Sequence, residues 1–292
     1  MDHADPDHPL GPHRRRRRRA GWVIVISIAV AVMVTATAAF AVAVHSRHPV
    51  RRASSSHAPT APPRWTVVGL GDSVPRAAGC ACTSFVTLYG ERIARDTGAH
   101  VTVHNLGVNG QTSGGLRAAL AGTGAEAATV RRASVVTLTI GANDFNYALS
   151  TLQRGRCGGA DGLDCFGATV ATVQRNVRAI IERIKTLRAG RPIAIRVTGY
   201  WNVFQDGAVA TGVGGPAFLR GSDLLTRQVN AVIKKDAVAE HVAYVDIYTP
   251  FKGKDGDIDD TALLAPDGDH PSQAGHRVIA KALAAAGYSP LD

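Results

Sequence analysis

The sequence lacks the short motifs on which several common enzyme chemistries depend. It has no Gly-x-x-x-x-Gly-Lys-Ser/Thr loop for nucleotide phosphates and no His-Glu-x-x-His pair for a catalytic zinc ion. Gly69-Leu70-Gly71 begins like a dinucleotide fingerprint, but the third glycine is missing. The Gly-x-Ser-x-Gly elbow of α/β-hydrolases is also absent around Ser73, because Pro75 occupies its last position. These absences argue against nucleotide-dependent enzymes, zinc proteases and α/β-hydrolases.

A basic stripe interleaved with aromatic residues, which is typical of nucleic-acid-binding surfaces, is also lacking. The formal net charge is +10, but residues 1–64 alone contain ten Arg and only three Asp. The rest of the chain is nearly balanced, with 23 basic and 20 acidic residues. The basic excess therefore belongs to the N-terminal segment, and we expect no nucleic-acid partner.

Cysteine is scarce, with four residues that form no Cys-x-x-Cys pair and have no histidine at zinc-finger spacing. In an exported protein an even number of cysteines indicates disulfides rather than a metal site. Two local pairs, Cys80 with Cys82 and Cys157 with Cys165, are one of three possible connectivities. The sequence does not choose among them.

The N-terminal segment predicts a membrane anchor. Residues 1–20 form a polar tail that ends in six arginines, Arg14 to Arg19, and its composition predicts disorder. Within residues 21–44, Trp22 to Val44 is an uncharged run of 23 residues, and about 20 suffice to span a bilayer. Arginines on one flank place that flank in the cytoplasm. We therefore expect a single-pass signal anchor in the cell membrane, with the C-terminal domain outside the cytoplasm.

A cleaved signal peptide is the competing interpretation, because small residues around Ala36 to Ala43 offer a cleavage site. The mature protein would then be secreted. Residues 45–64, which carry Ser54-Ser55-Ser56 and the prolines Pro59, Pro62 and Pro63, predict an extended linker. The globular domain is expected at residues 65–292.

Strand and helix patterns alternate through this domain. Short Val- or Ile-rich runs predict strands at 65–70, 101–105, 134–140, 192–199 and 242–246, and helices are predicted near 84–97, 113–121, 168–188, 221–239 and 272–286. Such alternation implies an α/β fold with a parallel sheet, right-handed crossovers and helices on both faces. Residues 145–167 form an unusually long connection, which predicts either a functional flap near the carboxyl edge of the sheet or a surface excursion.

Ser73 is the best-placed nucleophile in the sequence. The apolar run Thr66 to Leu70 stops at Gly71-Asp72-Ser73, and a buried parallel strand delivers such a side chain to the carboxyl edge of the sheet. A serine hydroxyl is a weak nucleophile alone, so it requires a base and an oxyanion stabiliser. We expect Asp72 to brace the turn and not to act as a catalytic acid.

The candidate base is His270, three residues after Asp267. A carboxylate at this spacing can accept a hydrogen bond from the imidazole Nδ1–H and leave Nε2 free. Asp269 is the weaker partner candidate because it adjoins the histidine. Ser272 is expected to cap the last helix, and His276 is expected to face outward from it and to be structural.

Two further stretches can supply oxyanion donors. Asn143 lies in Gly141-Ala142-Asn143-Asp144 at the end of the third strand, and its amide can donate to an oxyanion. Gly110 lies in Asn109-Gly110-Gln111-Thr112 after the second strand, where a glycine exposes backbone N–H groups. Each stretch alone is also compatible with an ordinary turn.

Together the four stretches resemble the SGNH hydrolase superfamily, the GDSL-type esterases and lipases, in order and spacing over residues 65–292. The resemblance implies a three-layer α/β/α sandwich with a mostly parallel five-stranded, flavodoxin-like sheet. It implies Ser73, His270 and Asp267 as the catalytic triad, and Ser73, Gly110 and Asn143 as the oxyanion hole. The chain departs from the family pattern after the nucleophile, where Val74-Pro75 replaces the usual leucine.

The expected function is therefore ester hydrolysis outside the cytoplasm, without metal or cofactor and by a monomer, on a small-molecule, lipid or glycan ester. The alternatives are an acetylesterase or acyltransferase acting on envelope glycans, a lysophospholipase, and an inactive binding module at the cell surface.

Overall fold

The computed structural model describes residues 61–154, 157–158 and 162–291, which belong to a single compact unit. The predicted tail, the predicted anchor and most of the predicted linker lie outside the described residues. Within the described ranges, no helix combines the length and the apolar character that a membrane crossing requires.

All five predicted strands are present. They are β1 Arg64–Gly71, β2 His100–Gly107, β3 Val135–Thr139, β4 Ala194–Thr198 and β5 Ala243–Val245. The sheet order is β2-β1-β3-β4-β5, and every neighbouring pair is parallel. Strands β1, β3 and β4 are buried along almost their whole length, which explains their continuous apolar runs. The edge strand β2 instead alternates between exposed and partly buried residues.

The helices are α1 Ser73–Arg76, α2 Phe85–Thr97, α3 Ser113–Ala121, α4 Ala125–Val130, α5 Ala148–Gln153, α6 Gly167–Arg188, α7 Gly207–Val213, α8 Gly215–Ala239, α9 Tyr248–Lys252 and α10 Gln273–Ala285. Helices α2 and α10 pack together, and α3, α6 and α8 form a second packed group. The fold is the expected three-layer α/β/α sandwich of flavodoxin-like, SGNH hydrolase type. Helix α8 begins at Gly215 rather than at 221.

The described residues of the connection at 145–167 contain regular structure that the sequence does not predict. It contains α5 and a 3₁₀ turn at Asp164–Phe166, and the Cys157–Cys165 disulfide closes its second half. Phe166 is fully buried and its ring meets that of Phe145 at 6.2 Å between centroids. Aromatic burial and the disulfide therefore hold the segment against the domain.

The sheet order fixes where a site can form. The connection after β1 leads to β2 on one side of the sheet, and the connection after its neighbour β3 leads to β4 on the other side. The carboxyl ends of two strands that diverge in this way form the switch point at which α/β proteins bind ligands. At this edge Gly71 adopts φ 139°, and a Cβ there would lie 1.9 Å from the carbonyl oxygen of Thr139. Only glycine allows β1 and β3 to approach this closely before the chain turns into Asp72-Ser73.

Candidate active site

Ser73 is the first residue of α1, directly after β1. The turn is held by Asp72, whose Oδ1 accepts a hydrogen bond from the backbone N–H of Val74 at 2.9 Å. The amide of Ala78 closes the turn by donating to the carbonyl of Ser73 at 3.1 Å. This short helix presents Ser73 to a cavity of about 190 Å³, which is also lined by Asn143 and Asp269.

Asp72 is buried at the base of the turn, and its Oδ2 accepts a hydrogen bond from the hydroxyl of Tyr200. Burial raises the pKa of Asp72 to about 6, although the hydrogen bonds from Tyr200 and Val74 oppose the increase. Burial and the neighbouring carboxyl also raise the pKa of Tyr200 well above its ordinary value. The contacts of Asp72 are those of the predicted turn brace.

His270 and Asp267 form the predicted contact. Nδ1 of His270 lies 2.8 Å from Oδ2 of Asp267, while Oδ1 of Asp267 accepts the backbone N–H groups of Asp269 and His270, both at 3.0 Å. Partial burial raises the pKa of Asp267, but these three hydrogen bonds outweigh it, so its pKa lies below the ordinary value. The carboxylate therefore stays ionised and favours the Nδ1–H tautomer of the imidazole.

Asp269 behaves differently from Asp267. Its nearest oxygen is 3.8 Å from Nδ1 of His270, too far for a hydrogen bond, and its side chain lines the cavity. Although 37% of the side chain is accessible, burial in the cavity wall raises the pKa of Asp269 to about 6. The charge of Asp267 adds to the increase, and the charge of His270 opposes it. Asp269 is thus a group of the cavity wall rather than the orienting partner of the histidine.

The loop that contains Cys80 and Cys82 joins the Ser73 turn to His270. Gly79 packs against His270, since a Cβ on Gly79 would lie 3.0 Å from the histidine Cβ. The side chain of Gln273 binds both backbone groups of Thr83, at 3.0 and 3.2 Å. The disulfide between Cys80 and Cys82 lies between these two contacts. Sequence reasoning missed Gln273 and Thr83 because their partners are 190 residues apart.

Asn143 lines the cavity from the 3₁₀ turn Ala142–Phe145, after β3. Its Nδ2 donates to the carbonyl of Gln111 at 3.1 Å, which ties the turn to the loop after β2. Gly110 lies in that loop with φ 73°, outside the cavity lining. The two predicted donor segments are therefore bonded to each other, with Asn143 nearer the cavity than Gly110.

Asp144 completes this connection. Its two carboxylate oxygens accept the backbone N–H of Ser113 at 2.8 Å and the Ser113 hydroxyl at 2.7 Å. These bonds fix the start of α3 to the turn after β3. The residue after the predicted oxyanion donor therefore stabilises the loop that carries Gly110.

His276 is not oriented as the sequence predicts. The outward orientation was wrong, because the side chain is fully buried and Nδ1 accepts the backbone N–H of Phe85 at 3.2 Å. Burial lowers the pKa of His276 to about 4, so it is neutral at physiological pH. Its contacts are structural, as the sequence predicts. The predicted N-cap is also present, because the hydroxyl of Ser272 accepts the backbone N–H of Gly275 at 3.3 Å.

The sequence profile of the GDSL-like Lipase/Acylhydrolase family matches residues 70–278, a span that includes Ser73, Asn143, Asp267 and His270. The chain belongs to this family. GDSL-like proteins of known structure share its fold. The lipase Lip_vut3 from a goat rumen metagenome is 21% identical, with a TM-score of 0.64 over 78% of this chain and 100% of its own.

Two other solved GDSL-like neighbours have comparable coverage. A catalytic mutant of Axe2, an acetylxylan esterase from Geobacillus stearothermophilus, is 18% identical, with a TM-score of 0.55 over 77% of this chain and 95% of its own. The lipase/acylhydrolase from Enterococcus faecalis is 20% identical, with a TM-score of 0.51 over 75% and 93% of the two chains. No curated protein matches the sequence. At these identities the neighbours establish the fold and not the substrate.

Proposed function

We propose that this GDSL-family ester hydrolase is a serine esterase in which Ser73, His270 and Asp267 form the catalytic triad. The observation that carries the proposal is the 2.8 Å contact between His270 and Asp267, held against Gly79 in the loop that follows the Ser73 turn. A carboxylate that orients an imidazole beside a serine hydroxyl is the arrangement that activates a weak nucleophile.

In the proposed mechanism the Ser73 hydroxyl attacks the ester carbonyl while Nε2 of His270 accepts its proton. The histidine then gives the proton to the leaving alcohol, and an acyl group remains on Ser73. A water molecule, deprotonated by the same histidine, releases the acid and regenerates the serine. Asp267 keeps the imidazole in one tautomer and stabilises its charged form.

The oxyanion hole is proposed to comprise the backbone N–H groups of Ser73 and Gly110 and the side-chain amide of Asn143. One N–H of that amide already donates to Gln111, which fixes the orientation of the second. A preorganised donor of this kind stabilises the developing charge more than the neutral ester.

The decisive experiment compares Ser73→Ala and His270→Ala with the parent chain in p-nitrophenyl acetate hydrolysis and fluorophosphonate labelling. Both variants are expected to lose at least about 1,000-fold in kcat, and Ser73→Ala to lose the label, because triad members act as a unit. Ser134→Ala, at the opposite edge of the sheet, and His104→Ala, exposed on β2, are the controls. Full activity or full labelling of Ser73→Ala would refute the assignment, whereas failure of the parent chain to react with the fluorophosphonate would revive a binding role.

A preference for short acyl groups and a polar alcohol is a second proposal, supported by the cavity. Its volume of about 190 Å³ is below the roughly 300 Å³ at which pockets for drug-sized ligands begin. The wall combines Val74 and Phe145 with polar Asn146 and Gln205. A carbohydrate acetate, the substrate class in the name of the Axe2 neighbour, fits this chemistry.

Gln205 strengthens this preference. It has φ 104°, a conformation that residues other than glycine rarely adopt, and its buried Oε1 has no hydrogen-bond partner among the described residues. Strained residues that persist next to a site are often functional.

The preference for short acyl groups is tested with p-nitrophenyl acetate, butyrate, octanoate and palmitate. Acetylated xylo-oligosaccharide and lysophospholipid serve as natural-type substrates. Faster cleavage of the long chains or of the lysophospholipid would overturn it, and transfer to an added glycan would indicate an acyltransferase.

We further propose that the domain acts outside the cytoplasm, anchored by residues 21–44. The support is the uncharged run after the arginines, together with the two disulfides in the domain. Fractionation of cells that express the full chain should recover it with membranes and leave the domain accessible to external protease. Release of a shortened protein into the medium would instead indicate signal cleavage.

A further inference from the structure

Tyr200 occupies a position that no sequence motif marks. It lies two residues after β4 and only 1% of the residue is exposed. Its backbone N–H donates to Oδ1 of Asn230 at 2.9 Å, and its carbonyl accepts from Nδ2 of the same side chain at 2.8 Å. Helix α8 thus holds the tyrosine by its main chain, which leaves the ring little freedom to move.

The hydroxyl of Tyr200 connects two separate turns at the carboxyl edge of the sheet. It donates to Oδ2 of Asp72, and the backbone N–H of Ala142 acts on the same oxygen and opposes the increase in the pKa of Tyr200. Asp72 directly precedes Ser73, and Ala142 directly precedes Asn143. The hydroxyl therefore bonds the residue before the proposed nucleophile and lies near the residue before the proposed oxyanion donor.

We propose that Tyr200 is a positioning residue, whose hydroxyl keeps the nucleophile turn and the oxyanion turn at the separation that the reaction needs. The inference rests on the proposed function of Ser73 and Asn143 and adds a residue that touches neither substrate nor reacting atoms. It predicts that the hydroxyl affects the chemical step more than it affects substrate binding.

The bonding of Asp72 gives the physical reason. Its Oδ1 is used by Val74 of the nucleophile turn, so Oδ2 is the oxygen left to tie that turn to the rest of the fold. Without the Tyr200 hydroxyl, a buried carboxylate oxygen would lose its partner and Asp72 could rotate away from Val74. A displacement of about 1 Å in a reacting group can reduce a rate about 100-fold.

Protonation provides a second readout. Burial raises the pKa of Asp72 to about 6, and the Tyr200 hydrogen bond limits that increase. Asp269 and His270 are the other titratable groups whose charges act on Asp72. Loss of the hydroxyl should therefore raise the pKa of Asp72 further and move the acid limb of the rate profile to higher pH.

The test is Tyr200→Phe, with Tyr248→Phe as the matched control. Tyr248 donates the same kind of hydrogen bond to the carboxylate of Asp223, between α9 and α8. Tyr200→Phe is expected to lower kcat by about 10- to 100-fold, with KM for p-nitrophenyl acetate changed less than about threefold. Fluorophosphonate labelling of Ser73 should slow in parallel, and the acid limb should shift upward. Tyr248→Phe should lose about as much thermal stability as Tyr200→Phe does, but it should keep the parental kcat and pH profile.

The outcomes separate this inference from the proposed function. If Ser73→Ala is inactive while Tyr200→Phe keeps the parental kcat and pH profile, the positioning role is refuted and the triad stands. Equal losses of kcat in the two tyrosine variants would also refute it, because the effect would then follow stability alone. Full activity of Ser73→Ala would overturn both proposals.

Discussion

Nδ1 of His270 lies 2.8 Å from Oδ2 of Asp267, whereas the nearest oxygen of Asp269 lies 3.8 Å away. The two carboxylates are two residues apart in the chain, and only one of them bonds the imidazole. The turn itself makes this choice, because Oδ1 of Asp267 accepts two backbone N–H groups and thereby orients Oδ2 toward the ring.

Asp267→Asn is expected to lower kcat by at least about 100-fold with little change in KM, because the amide no longer enforces the useful tautomer. Steady-state kinetics on p-nitrophenyl acetate measure the effect. Asp269→Asn is the control and should lower kcat less than about threefold. The opposite ranking of the two variants would assign the orienting role to Asp269.

Asn143→Ala is expected to lower kcat/KM by about 100- to 1,000-fold, which corresponds to about 3–4 kcal/mol of transition-state stabilisation. Asn146→Ala removes an amide from the same cavity wall and should have a much smaller effect on an acetate ester. If the two variants lost activity equally, Asn143 would be a wall residue and not an oxyanion donor.

Gly79→Ala should impair catalysis through the histidine pair. Gly79 has φ 70°, and its Cβ would lie 2.5 Å from Oδ2 of Asp267. Gly98→Ala is a matched control, since Gly98 has φ 69° and nothing within 4 Å of its Cβ. Both variants should lose about 1–2 kcal/mol in the free energy of unfolding, the cost of a left-handed alanine, as measured by urea denaturation. Only Gly79→Ala should lose kcat, by roughly tenfold or more, and an unchanged kcat would show that the loop does not position Asp267.

Asp260 makes the stability of the domain depend on pH. It is buried 3.8 Å from Nζ of Lys252, which forms a closer ion pair with Asp206, at 2.7 Å. Burial, and secondarily the charge of Asp206, raises the pKa of Asp260 from 3.8 to about 7. Between these values the native carboxyl keeps a proton that the unfolded chain has released, so its contribution to stability falls as pH rises from about 4 to 7.

Asp260→Asn removes this titration. The free energy of unfolding of the variant, measured relative to that of the parent, should be at least about 1 kcal/mol greater at pH 8 than at pH 5. Urea denaturation at the two pH values measures the difference, and Asp259→Asn, on an exposed neighbour, is the control. A parent-to-variant difference that did not change with pH would show that Asp260 is ionised in the native state.

Much of the architecture was predictable because its signals are local. Short buried runs predicted all five strands, and glycines at the strand ends predicted where Ser73 and Asn143 lie. The contact between Asp267 and His270 was predictable because three residues separate them within one turn. Their catalytic roles remain predictions until the variants are measured.

Other features depended on neighbours that are distant in the chain. Helix α5 lies inside the segment 145–167, for which the sequence predicts only a long connection. His276 was expected to face outward, but it is buried by α2. The sequence pattern of α10 does not show this, because α2 and α10 come together only in the folded domain. The local pairing of the four cysteines also required the structure.

The sequence by itself determined the strands, the turns that end them and the polar residues that each turn carries, since these follow from patterns a few residues long. Only the tertiary structure decided that the hydroxyl of Tyr200, 128 residues from Asp72, would donate to the carboxyl group next to Ser73. The physical reason is that strand order and helix packing bring such pairs together. Those arrangements result from the burial of whole surfaces rather than from the preferences of neighbouring residues.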